Sequence, residues 1–439
     1  MPSQAFAKTD IKKLSIKEIS YKALEYALST QVQVDGKYYI KGEFPTQIES
    51  SLVPVLVGVG KPIVKDQEAT PFTTASVVNI LSQIYLDNSE LKNEGPLSQI
   101  PAAISSAVKT FSRYETDSTF NFYPSLKVGD KTVHRPIDMT LLPIWHGFTN
   151  IPNDADSSSV ALAALVFNSK INNVAYEVPQ QALDTLSKYR DNQRKPMFYN
   201  KREDVKNTGA FMTWLFDENS PDMPHFWFAK STKGTRIPFN RNDVDCIVNG
   251  NVLKMLSLAK RTDVAGHEQA CSLLNEMISE DAHATCGVYY PNTLNLSFTA
   301  ATIEKAGESC ITESSQSKIV QKIISLQTED GSWVNEGNTW ADPTLSTAFA
   351  MYSLLHFADL KEQKVQSALI FGTHYLLANV KEKDGQLYWP ADHYFTATAI
   401  ARSLIMWSSK AYTNAIIASV LLEMNKKFPS YKVENYMIK

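Results

Sequence analysis

A short pattern recurs six times along the 439 residues: small hydroxyl and alanine residues opening an apolar, helix-length run. FTTASVVNIL begins at Phe72, DSSSVALAAL at Asp156 and DCIVNGNVLKML at Asp245. LSFTAATI begins at Leu296, LSTAFAMYSLL at Leu345 and FTATAIARSL at Phe395. The starts lie 84, 89, 51, 49 and 50 residues apart. The last three intervals are nearly constant, and the first two read as the same unit with about 35 residues inserted. More polar, amphipathic stretches precede the runs. Examples are IEKAGESCITESSQSKIVQKIISLQ before the fifth and KEQKVQSALIFGTHYLLANV before the sixth. A period near fifty residues that carries a helix pair marks a repeat architecture.

Six such pairs close into a ring. The runs that are apolar nearly all round belong inside, and the amphipathic ones belong outside. Alanine and serine on the inner set permit close approach and leave a central cavity. The expected fold is all-α: one (α/α)6 toroid over residues 1–439. Val, Ile and Thr form no strand-length alternating runs, so the chain reads as nearly all helix. Every inner helix follows an outer one of opposite direction, so all six begin at one rim. Insertions at about 115–150 and 194–243 precede the second and third inner helices and would roof the cavity.

Composition narrows the function. Hydrophobic residues at 44% and charged residues at 20% suffice for a sizeable core. A net charge of −3 gives no electrostatic footprint for nucleic acid. The N-terminus has no apolar signal-peptide core, and no run approaches the ~18 apolar residues of a membrane span. The four cysteines, Cys246, Cys271, Cys286 and Cys310, show no C-x-x-C spacing. They read as thiols of a reduced, cytoplasmic protein.

The predicted rim is rich in aspartate: Asp154 and Asp156 in IPNDADSSSVALAAL, Asp243 and Asp245, Asp342 in WADPTLST, and Asp392 in WPADHYFT. Any one of them could simply cap a helix. Carboxyls crowded at a poorly hydrated mouth also disfavour full ionisation, so one of them can hold a proton at neutral pH.

IPNDADSSSVALAAL resembles the D-x-D-D motif of class II terpene cyclases. It likewise follows a proline and opens an inner toroid helix. Gln327, Gly331 and Trp333 in QTEDGSW are similar to that family's Q-x-x-x-G-x-W signature, and DGQLYW at 384–389 is a degenerate copy. Two departures stand out: the fourth motif position is Ser157, and the length suits one toroid rather than two. The resemblance implies a monodomain cyclase that protonates a double bond of a linear polyprenoid, with no cofactor and no metal. It assigns proton donation to Asp156, oriented by Asp154. Asp342 and Asp117 (in YETDSTFNFYPS) are rival donors. The carbocations that follow need aromatic walls, which exclude water and attract cations. Trp145, Phe148, Trp340, Trp389, Tyr394 and Phe395 are the expected substrate-binding residues, with Asp245 beside them. Arg135, Lys195, Lys230 and Arg236 could meet an anionic head group, which would make the substrate a prenylated aromatic acid.

Other uses of a helical ring fit less well. A class I terpene synthase needs a D-D-x-x-D cluster, which is absent. A protein prenyltransferase β subunit needs a zinc triad, and Phe395 occupies the expected histidine position, with His393 nearby. The runner-up is an (α/α)6 glycoside hydrolase or polysaccharide lyase with paired carboxylates. The expected partner is a small isoprenoid, with peripheral membrane contact, on a monomer or homodimer.

Overall fold

The structure is a computed structural model. It describes residues 13–50, 64–137, 150–194, 206–217, 235, 237, 241–334, 343–397 and 405–431. Thirteen α-helices are described: α1 (Ile16–Ser29), α2 (Pro71–Asp87), α3 (Ile100–Val108), α4 (Ala155–Asn172), α5 (Gln180–Lys188), α6 (Cys246–Ala259), α7 (His267–Ser279), the single turn α8 (His283–Cys286), α9 (Asn295–Lys305), α10 (Glu313–Leu326), α11 (Pro343–Phe357), α12 (Gln363–Ala378) and α13 (Lys410–Lys427).

Burial divides them as their sequences require. In α11 every residue from Thr344 to Leu355 is buried, and α4 and α13 are buried on most of their surface. By contrast, α10 buries only Ser315, Ile319 and Ile323, one stripe four residues apart. The buried set packs in a closed cycle: α2 on α4, α4 on α6, α6 on α9, α9 on α11, α11 on α13, and α13 back on α2. The striped helices lie against this ring. Helix α1 packs on α13, α3 on α2 and α4, α7 on α6, α10 on α11, and α12 on α11. Side-chain caps set several inner helix starts: Thr70 on α2, Asp154 on α4, Asp245 on α6 and Ser409 on α13. The inner N-termini meet at one end. Thr73 at the start of α2 is hydrogen-bonded to Tyr394, whose ring lies 4.5 Å from that of Tyr412 in α13. Asn292, just before α9, donates to Ser346 in α11 at 2.9 Å.

Five of the six expected inner helices start where the repeat places them. The sixth does not. Phe395 lies in a strand, and the sixth inner helix is α13, from Lys410. The expectation of a nearly all-helical chain is corrected with it. A four-stranded antiparallel sheet has the order β2 (Val64–Glu68), β1 (Thr46–Ser50), β10 (Ile405–Ser408), β9 (His393–Thr396). Three hairpins are also present: β3 (Glu115–Thr116) with β4 (Thr119–Phe120), β5 (Ser125–Val128) with β6 (Lys131–His134), and β7 (Lys381–Lys383) with β8 (Gln386–Tyr388). Asp384 and Gly385 carry β7 into β8 with φ of 53° and 77°. A D-G pair with both residues left-handed is the turn that matches strand twist.

The cysteines do not remain thiols. All four pair, Cys246 with Cys286 and Cys271 with Cys310, so the reduced reading is overturned. Spacing conceals this because each pair is closed by helix packing, 40 and 39 residues apart in sequence. Among the described residues no helix is long and apolar enough to cross a membrane.

The Q-x-x-x-G-x-W segment is a structural clasp between α10 and α12. Gln327 donates to the carbonyls of Gly331 and Ala368 at 3.0 and 2.9 Å. Trp333 is fully buried and its indole N–H donates to the Ile323 carbonyl at 2.7 Å. Gly331 has φ +87°, and a Cβ there would stand 2.3 Å from the Phe371 carbonyl oxygen, so glycine is required. Trp389 repeats the arrangement one unit on. It is fully buried, and its indole N–H donates to the Leu376 carbonyl at 2.8 Å. Its expected contact with substrate is therefore replaced by a packing role.

Candidate active site

Asp154 and Asp156 differ in their hydrogen-bond partners. Asp154 precedes α4 in extended backbone, and its Oδ1 accepts the Ser157 N–H at 2.6 Å, an N-cap. Asp156, in the first turn, caps nothing. Its Oδ1 accepts from the Asn251 amide at 2.7 Å, and its Oδ2 accepts from the Tyr290 hydroxyl. The same Asn251 amide also donates to the Tyr290 oxygen at 3.2 Å. Both carboxyls are buried at 4% exposure.

Burial in this site pushes both carboxyls up to about 7. For Asp156 the neighbouring Asp154 adds to that rise, while the Tyr290 and Asn251 donors oppose it. The result is a carboxyl that titrates near neutrality instead of in acid, with two donors already aimed at the carboxylate that forms when the proton leaves. Asp245, also pushed up to about 7 by burial, caps α6 and accepts the Tyr289 N–H at 3.0 Å. Tyr289 in turn donates its hydroxyl to Asp243 at 2.8 Å. The Cys246–Cys286 bond joins the start of α6 to the segment that delivers both tyrosines.

Two cavities flank this network. The upper one is lined by Asp154, Asp156, Ser157, Ile151, Thr213 and Ala397 and by the aromatic residues Phe122, Tyr123, Trp214, Tyr289, Phe395 and Trp407. Its rings interlock: Phe395 stacks on Phe122 at 5.2 Å and on Tyr289 at 6.0 Å, and Phe122 meets Trp407 edge-on at 5.6 Å. Strands β9 and β10 supply Phe395 and Trp407, so the sheet that replaced the expected sixth helix forms a wall of this cavity. The lower cavity is the lumen of the ring, and all six inner helices line it. Phe72 and Tyr290 line the lower cavity and touch Phe395 of the upper one, at 5.1 and 5.6 Å between ring centroids.

The other expected site residues sort as follows. Phe395 lines the upper cavity. Tyr394 is buried behind it, stacked on Phe72 and hydrogen-bonded to Thr73. Asp245 is a cap rather than a wall residue of either cavity. Asp117 occupies the exposed turn between β3 and β4, with φ 52°. Asp342, Trp340, Trp145 and Phe148 lie outside the described residues. Sequence reasoning missed Tyr290, Tyr289 and Asn251. Neither tyrosine belongs to a motif, Asn251 sits unmarked within the third copy of the repeat, and Tyr290 and Asn251 reach Asp156 from 134 and 95 residues away.

No protein-family model and no curated protein matches the sequence. Solved structures do match the fold. The type II terpene cyclase MstE from Scytonema, without ligand, superposes with a TM-score of 0.55 at 12% identity, covering 94% of this chain and 99% of that one. A variant of that enzyme in complex with geranylgeranyl dihydroxybenzoate, its substrate, gives 0.54 at 12% identity, over 93% and 97%. A protein from Actinoplanes gives 0.51 at 10% identity, over 93% and 99%. The chain has the fold of class II terpene cyclases.

Proposed function

We propose that the ring is an (α/α)6 toroid acting as a protonation-initiated terpene cyclase, with Asp156 as the acid and a linear polyprenoid as substrate. The observation that carries this reading is a buried carboxyl with a raised pKa, facing an aromatic cavity and backed by two hydrogen-bond donors. An alkene is a weak base, so its proton donor must be protonated at working pH and must leave a stabilised anion behind. Burial supplies the first condition, and Asn251 with Tyr290 supplies the second. The proton adds to one alkene carbon and leaves a cation on the other. Neighbouring double bonds attack in turn, each closing a ring, until the last cation loses a proton. Phe122, Phe395, Trp214 and Trp407 keep water from these cations and stabilise them through their ring faces. Holding the polyene prefolded supplies much of the rate, through orientation. The Scytonema enzyme's substrate makes a prenylated aromatic acid the first compound to try.

The direct test is incubation with geranylgeranyl dihydroxybenzoate in EDTA, followed by mass spectrometry. A cyclised isomer of unchanged mass is expected. Turnover of oligosaccharides with none of the prenylated acid would replace this reading with the carbohydrate one.

Activity requires the protonated acid, so kcat should be full below about pH 7 and fall tenfold per unit above it. The folded carboxyl keeps a proton that an unfolded one gives up near 3.8. Its contribution to stability is therefore greatest in acid and is lost as pH rises through about 7. Tyr290→Phe removes a donor from the carboxylate. It should lower kcat by roughly 10- to 100-fold and move the alkaline limb upward, because the lost hydrogen bond favoured ionisation. An unchanged limb would mean that Tyr290 does not act on Asp156.

A further inference from the structure

The lumen below Asp156 is built differently from the aromatic cavity above it. Its described lining holds Ser76, Asn79, Gln83, Asn295, Thr299 and Lys254, and no aspartate or glutamate. Lys254 projects from α6 one turn beyond Asn251, about 4.5 Å deeper along the helix. Its ammonium makes no ion pair or hydrogen bond to any described residue. Its one contact of note is the Phe167 ring, 5.9 Å from the centroid. The neighbouring cation, Lys305, is already matched by Asp87 at 2.5 Å. Two further lining groups are unsatisfied. Asn295, 2% exposed, gives its carbonyl oxygen to Thr299 and leaves its NH2 without an acceptor. Asn79, 4% exposed, donates its NH2 to the Val160 carbonyl and leaves its oxygen without a donor. Lys254 is half-buried with no counter-charge beside it, and the fully buried Asn295 donor with no acceptor carries a desolvation cost that a ligand would remove. Burial also holds Lys254 down to about 8, which leaves it mostly protonated at pH 7.

We propose that the lumen is a second binding site, for a small oxyanion that also bears a hydroxyl. The anionic oxygens would meet Lys254 and the Asn295 NH2, and the hydroxyl would donate to Asn79. Hydrogen phosphate and a 2-hydroxycarboxylate share this chemistry. Asn251 and Tyr290, which hold Asp156, also line this cavity, but binding of the anion needs no turnover to be detected.

Calorimetric titration of the full chain at pH 7 with sodium phosphate, and separately with sodium lactate, tests it. One saturable site for either probe is expected, and whichever binds identifies the source of the anion. Lys254→Gln should weaken binding at least tenfold, the loss of a charge-assisted hydrogen bond. Asn295→Asp, equal in size but opposite in electrostatic sense, should do the same. If Lys254→Gln fails to fold, Lys254→Arg keeps the charge and should bind where Asn295→Asp does not. Absence of binding for both probes, or wild-type affinity in Asn295→Asp, would overturn the proposal.

Discussion

Asparagine in place of Asp156 is expected to lower the cyclisation rate by about 10³-fold or more. The amide matches the carboxyl in shape and still accepts from one of Asn251 and Tyr290, but it has no proton to give. The fold should survive, because Asp156 caps no helix. Asp154→Asn should behave differently. Asparagine caps as well as aspartate does, so both stability and rate should change far less. Single-turnover kinetics with circular dichroism as a folding control separates the two cases. Near-wild-type rates in Asp156→Asn would move the donor elsewhere, and Asp342→Asn would be the next variant to measure.

Trp333→Ala should cost about 3–5 kcal/mol of stability, the range for deleting a fully buried large aromatic side chain. The indole is sealed between α10 and α12 and satisfies the Ile323 carbonyl, so its loss leaves both a cavity and an unpaired acceptor. Trp389→Ala should cost a similar amount, because its indole makes the same bond to Leu376. Urea unfolding measures both. In Trp389→Ala, the rate per folded molecule should stay close to wild type. A loss of activity without a loss of stability would return Trp389 to the substrate.

The contrast between these two tryptophans and the two aspartates shows what could be read in advance. The ring was legible because each inner helix states its own burial locally. A run such as LSTAFAMYSLL is apolar all round, and nothing but another helix layer can cover it. The buried aspartate pair was legible because D-A-D stands at such a helix start. The strand at Phe395 was not. FTATAIARSL has helix-like composition, and its pairing is decided by β10, which itself pairs with β1 about 360 residues away. The two visible hairpin turns, Gly129–Asp130 and Asp384–Gly385, were strand signals in plain sequence. Tyr290 and Asn251 were invisible for another reason: a hydrogen bond to Asp156 requires the ring to close first, and no local pattern encodes it. Trp389 was read as a substrate wall because it is an aromatic at the predicted rim, although its buried indole bonds a helix carbonyl as Trp333 does.

Isotope incorporation tests the central claim most directly. On the proposed reading, Asp156 exchanges its proton for a deuteron before each turnover of geranylgeranyl dihydroxybenzoate in D2O. A protonation-initiated cyclisation then places one deuterium on carbon, and the product is one mass unit heavier than that formed in H2O. A cyclised product with no carbon-bound deuterium, or full deuterium incorporation by Asp156→Asn, would contradict the account.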